Sequence, residues 1–251
     1  MQLTTYGKLS ARKYALSNEA APAAALAFYL AQYEPDNGPV LEPMCGTGRF
    51  LIPFLQRAIP IDGMDASPHM LAVCQQRCAE QGVPVKLHQQ LIQELDLPQC
   101  YGYIFLPDRA ISLVYDKVIG VQVLRRLYDH LLPGGKLALD IQTPNLQTFV
   151  TGQWQGDWTI LPDGSIIVDH ILFQRDEDEP ILRALSKHEW FVDGKLQETE
   201  LNMYIERFYV QEEFEQMLVA AGFVEITATQ AFTGAAPHER DNIAFVCRRP
   251  C

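Results

Sequence analysis

The segment Val40-Leu41-Glu42-Pro43-Met44-Cys45-Gly46-Thr47-Gly48-Arg49-Phe50 sets an acid and two closely spaced glycines at the end of a short apolar run. A Gly-x-Gly turn that follows a strand and opens a helix lets a ligand lie against backbone that side chains would otherwise block. Seventeen residues past Gly48, Asp65 closes a second apolar run, where a carboxylate that grips ribose hydroxyls belongs. The two features fall within one strand–helix–strand unit. Together they point to an adenosine-containing ligand at the carboxyl ends of the strands.

Glu42 separates the candidate ligands. A nicotinamide-binding unit wants a third small residue and room for a pyrophosphate, and here Leu51 holds that position. An acid before the glycines repels a pyrophosphate. It suits a cation, so electrostatics favour the sulfonium and ammonium of S-adenosylmethionine. The histidines at 69, 88, 130, 170, 188 and 238 show no ligand spacing, so no metal is expected. The six cysteines form no framework and read as free thiols in a reducing, cytoplasmic setting.

The elements that must position these residues follow from the wider pattern. The chain has 251 residues and a net charge of −11, which argues against a constitutive nucleic-acid binder or a protein held on anionic membranes. It has no apolar run long enough to span a bilayer and no secretory signal pattern. A helix is predicted over 20–30, then strands over 39–42 and 60–65, with a short helix from about 50 between them. Ser67 caps a helix over 68–81 with Pro68 at its first position. Strands over 83–88 and 101–106, a helix over 118–132 and a strand over 136–141 continue the alternation. A helix over 211–221 and strands over 223–229 and 242–247 close the chain. This predicts a Rossmann-like α/β fold, with a seven-stranded, mostly parallel sheet covered by helices on both faces. Residues 143–209 break the pattern with short β-rich runs at hairpin spacing, which predicts three or four inserted antiparallel strands. That span holds 12 acids and 5 bases, a balance that hints at a cationic or amine ligand. The chain reads as one domain, 1–251, with 143–209 as a lid or substrate-binding elaboration.

Over about residues 20–249 the sequence resembles the class I S-adenosylmethionine-dependent methyltransferases. Glu42 to Phe50 is similar to that family's first motif, Asp65-Ala66-Ser67-Pro68-His69-Met70-Leu71 to its second, and Leu131-Leu132-Pro133-Gly134-Gly135-Lys136-Leu137 to the turn into its fifth strand. A bacterial small-molecule branch with a β insert after strand five fits best. The resemblance implies methyl transfer to an amine or hydroxyl of a small molecule, with S-adenosylhomocysteine as product. Glu42 would orient the methionine ammonium, and Gly46 and Gly48 would admit the methionyl-ribose portion. Asp65 would bind both ribose hydroxyls, Ala66 and Met70 would flank the adenine, and Tyr14 would close over the cofactor. Asp108 and Arg109 would face both cofactor and acceptor. Two positions depart from the family pattern. Met44 replaces a third glycine, which implies a wider turn or a more distant backbone. Leu91 stands where an acid often holds the adenine, which would leave it to backbone groups and Gln90.

Methyl transfer needs in-line positioning and exclusion of water more than a covalent nucleophile. The insert and an N-terminal helix are expected to roof the site. His170, His188, Glu206 and Tyr209 are candidates for a modest general base. Two rivals remain at this stage: a non-catalytic module that binds the same cofactor or its product, and a nicotinamide-dependent oxidoreductase. A monomer or homodimer fits the sequence equally.

Overall fold

A computed structural model describes residues 6–144, 149–238 and 242–251. Two helices, α1 (Lys8–Ser17) and α2 (Ala23–Ala31), lead into β1 (Val40–Pro43), α3 (Leu51–Leu55), β2 (Ile61–Asp65), α4 (Pro68–Glu80) and β3 (Lys86–Gln89). There follow β4 (Tyr101–Leu106), α5 (Lys117–Asp129) and the long β5 (Leu131–Ile141). Strands β6 (Trp154–Ile160), β7 (Ile166–Arg175), β8 (Ile181–Val192) and β9 (Lys195–Arg207) come next. Helix α6 (Gln211–Ala221) then returns the chain to β10 (Val224–Gln230) and β11 (Ile243–Arg248). No described helix is long and apolar enough to cross a membrane.

The main sheet has seven strands in the order β10-β11-β5-β4-β1-β2-β3. Strands β3, β2, β1, β4 and β5 are mutually parallel, and β11 runs antiparallel to both β5 and β10. The chain order reverses between β1 and β4, so a crevice opens at their carboxyl ends. Every residue of β1 and β4 is buried, as expected of central parallel strands covered on both faces. On one face Leu41, Ile104, Leu106 and Leu139 pack with Leu124 and Leu127 of α5 and with Phe214 and Leu218 of α6. On the other, Val40, Tyr103 and Phe105 pack with Tyr29, Phe54 and Cys74. Phe54 stacks on Phe105 at 4.8 Å between ring centroids.

Two boundaries differ from the sequence reading. Helix α5 ends at Asp129, and Pro133-Gly134-Gly135 lies inside β5 as a register irregularity, where Tyr101 pairs with Leu131 but Tyr103 with Lys136. The third strand is only Lys86–Gln89, an edge strand with little to bury.

Strands β6–β9 form a separate antiparallel sheet, in chain order, between β5 and α6. Register places Asp169, Ile171 and Phe173 of β7 beside His188, Ser186 and Ala184 of β8, and those beside Glu200, Asn202 and Tyr204 of β9. Helix α1, for which the sequence pattern gives no signal, lies over this face, whereas the helix expected over 20–30 to roof the site, α2, packs Ala25 and Tyr29 into the core instead. The α1 sequence lacks a side-chain N-cap. The missing cap is supplied from 190 residues away: Glu200 accepts the N–H groups of Leu9 (2.8 Å) and Ser10 (3.1 Å). An acid at a helix N-terminus also meets the positive end of the helix dipole. Burial alone would raise the Glu200 carboxyl, but bonds from Ser10, Asn202 and those two N–H groups hold it below its usual range. Lys13 pairs with Asp169 (2.9 Å) and Arg12 with Asp163 (2.8 Å). Arg77 of α4 donates to the Ala15 carbonyl (2.7 Å), tying the same helix to the body. Replacing Glu200 with Ala is expected to cut amide-exchange protection across residues 8–17 about tenfold or more, the scale of a lost charged hydrogen-bond partner. Protection in β1 and β4 should be unchanged.

Candidate active site

A cavity of about 600 Å³ sits above the ends of β1, β2 and β4, between the main sheet, α1 and the insert. Of the residues singled out from the sequence, Tyr14, Glu42, Gly46, Asp65, Ala66, Met70, Gln90, Leu91, Asp108, Arg109 and Glu206 line it. Gly48, His170, His188 and Tyr209 are not among its walls.

The floor is built by strand-end acids and the glycine turn. Asp65 accepts the Gly46 N–H through Oδ2 (2.9 Å) and the Ser67 N–H through Oδ1 (2.8 Å). Each carboxylate oxygen keeps a further lone pair for a ribose hydroxyl. Ser67 caps α4 by accepting the Met70 N–H (3.2 Å), which frees Asp65 from that task. Burial raises the Asp65 carboxyl, opposed by the N–H groups of Ser67, Gly46 and Ala66. Gly46 adopts φ +53°, and a Cβ there would meet nothing within 4 Å, so its backbone is open to the cavity. Gly48 serves differently. Its φ is +81° and a Cβ would come within 2.6 Å of the Cys74 sulfur, so this glycine admits α4 rather than a ligand. Met44 takes φ +58°, the left-handed conformation that favours glycine. A non-glycine residue there costs about 1–2 kcal/mol.

Glu42 is 2% exposed. Burial pushes its carboxyl well above the usual range, the neighbouring Cys74 adds to this, and Arg49 and the Leu51 N–H pull it down. Its Oε2 has no hydrogen-bond partner. A buried acid with one orphaned oxygen on a cavity wall suits an ammonium group. Past the end of β3 Leu91 is 41% exposed, and the Gln90 Oε1 accepts the Asp96 N–H (3.0 Å), which leaves its amide NH₂ available.

At the top of β4, Asp108 and Arg109 both adopt left-handed backbone, with φ +60° and +58°. Asp140, near the end of β5, holds them there: it accepts the Arg109 N–H (3.1 Å) and the Tyr29 hydroxyl (2.5 Å). Asp108 receives the Arg49 guanidinium, the Tyr14 hydroxyl (3.4 Å) and Arg109 (3.2 Å). Burial lifts the Tyr14 phenol to about 12, against the pull of Arg49. Sequence reasoning missed Arg49, Asp140, Ser112 and Tyr6. A lone acid in the apolar run Leu137-Ala138-Leu139-Asp140-Ile141 was a usable signal for Asp140; for the others nothing local stands out.

The base candidates on the insert need correction. His188 bonds Asp169 through Nδ1 (2.5 Å) and Ser186 through Nε2 (2.8 Å). That resembles a hydrolytic relay, yet none of the three lines the cavity, and Lys13 of α1 closes the network on Asp169. The group fastens the roof. His170 sits edge-on to Trp154 at 6.4 Å and 3.9 Å from Glu189. Tyr209 is fully buried, its hydroxyl donating to the Val114 carbonyl (3.2 Å).

The strand order and the crevice with its two acids define the class I methyltransferase fold. Residues 40–135 match the family model described as a methyltransferase domain. A relative from Geobacillus sp. strain WCH70, provisionally named a methyltransferase, is 25% identical over 224 residues, covering 84% of each chain. An S-adenosylmethionine-dependent methyltransferase from Clostridium acetobutylicum superposes with a TM-score of 0.77 at 16% identity, covering 96% of this chain and 98% of that one. The sugar N-methyltransferase KedS8 from Streptoalloteichus gives 0.76 at 19%, covering 100% and 98%. Residues 40–135 thus carry a methyltransferase domain, on a fold shared with S-adenosylmethionine-dependent methyltransferases.

Asp140 offers a test by pH. Burial raises its carboxyl to about 6, against the bonds from Tyr29 and Arg109. The folded protein therefore keeps this proton at pH values where the unfolded chain has released it, and stability from this site falls as pH rises through that window. Relative to wild type, Asp140→Asn is expected to gain about 3 kcal/mol between about pH 4 and pH 7, read from melting temperature against pH.

Proposed function

We propose that the enzyme moves the methyl group of S-adenosylmethionine to an amine or hydroxyl of a small molecule held under the insert sheet, chiefly by positioning. The observation that carries this reading is the continuity of the cavity. The floor with Glu42 and Asp65 and the insert wall with Phe173, Ala184 and Tyr204 enclose one space. The likeness to a sugar N-methyltransferase supports a small-molecule acceptor.

When bound, the cofactor supplies a methyl group already activated by positive sulfur. The protein's share is to hold and to exclude. Glu42 receives the ammonium, Asp65 the ribose and Gln90 the adenine edge, while Ala66 and Met70 flank the base. Tyr14 and α1 keep water from the reacting centre, where alignment lowers the barrier. Asp108 and Arg109 lie between the two halves, fixed by Arg49 and Asp140. The insert acts in this reading as lid and acceptor wall together.

Glu42→Gln separates binding from folding. Because burial already disfavours the charged form of Glu42, the amide is expected to leave the melting temperature no lower than that of the wild type. Loss of the ammonium's counter-charge should weaken S-adenosylmethionine binding about 10- to 100-fold by calorimetry. Unchanged affinity would remove Glu42 from the site. Release of S-adenosylhomocysteine in the presence of small amines and alcohols tests the transfer itself.

A further inference from the structure

The acceptor side of the cavity is unevenly furnished. Leu113, Val114, Phe149, Ile171, Phe173 and Met203 make most of that wall apolar. Its acids differ in what they hold. Asp108 is occupied by Arg49, Tyr14 and Arg109. Glu206, near the end of β9, faces the same space half-buried, and among the described residues no hydrogen bond reaches its carboxylate. Arg109 lies close enough to influence Glu206 but turns its guanidinium to Asp108 and to Gln142 (3.3 Å). Across the wall Ser112 is 4% exposed, and its hydroxyl is buried without a partner.

Resting on the methyl-transfer reading above, we infer that the acceptor is an amine borne on a largely apolar body, with the Glu206 carboxylate receiving the ammonium and the Ser112 hydroxyl a second polar group. A desolvated, unpaired carboxylate gains most from a cation, and an apolar wall gains most from an apolar body. A polyhydroxylated acceptor fits poorly, because each hydroxyl stripped of water against this wall and left unmatched costs about 1–3 kcal/mol.

The chemistry balances. The bound ammonium gives one proton to Glu206, whose carboxyl burial already raises. The freed nitrogen lone pair forms the N–C bond as the C–S bond breaks, and the bonding electrons stay on sulfur. The product leaves as a methylated ammonium, and the proton on Glu206 passes to water.

The test compares arylalkyl amines, their hydroxyl analogues and amino sugars with the full-length protein, by S-adenosylhomocysteine release and by calorimetry on protein loaded with S-adenosylhomocysteine. Arylalkyl amines are expected to exceed both other groups at least about tenfold in kcat/KM. Glu206→Gln should raise their KM and calorimetric Kd about tenfold or more and abolish the acid limb of the pH profile, while S-adenosylmethionine affinity stays unchanged. Preference for amino sugars, equal use of the hydroxyl analogues, no arylalkyl amine methylated, or a silent Glu206→Gln overturns this inference while measured cofactor binding leaves the broader reading standing. Absence of S-adenosylmethionine binding overturns the broader reading, and this inference with it.

Discussion

A carboxylate buried at the end of a parallel strand must find donors or carry a cost of several kcal/mol. Three acids face that constraint, Glu42 on β1, Asp65 on β2 and Asp140 on β5, and the way each meets it shapes the site. Asp65 draws in the N–H groups of Gly46 and Ser67, which locks the glycine turn to the start of α4. Asp140 draws in Arg109 and Tyr29, which holds two left-handed residues at the head of β4 and ties them to α2. Glu42 is left half-satisfied. The unmet demand lies on the cavity wall, where binding can meet it.

The roof obeys different physics. Helix α1 is short and takes its cap from Glu200, and beside the buried Leu9 and Ala11 its anchors are ion pairs and charged hydrogen bonds to Glu200, Asp169 and Asp163. Of these, the partly exposed Arg12–Asp163 pair contributes little. The floor rests on fully buried aromatic and aliphatic packing.

Legibility followed burial and sequence distance. Strands such as Tyr101–Leu106 are buried throughout and read as unbroken apolar runs. Gly46, Glu42 and Asp65 were legible because their chemistry is local to one strand–helix–strand unit. Helix α1 was not, since its cap, Glu200, lies 190 residues on. Arg49 sits inside the recognised motif, yet its pairing with Asp108 depends on β1 and β4 lying side by side. The histidines misled because a strand alternates its faces. His188 sits on the face that α1 covers, but its ring is already bonded on both nitrogens. Met44 holds a left-handed backbone at a position where the motif has glycine.

The four-stranded insert leaves the body after Ile141 and rejoins it at Gln211, so it is a single uninterrupted cassette. No residue of β6–β9 pairs with the main sheet. Substitutions on its inner surface can therefore reshape one wall of the cavity while leaving the ends of β1 and β2 untouched.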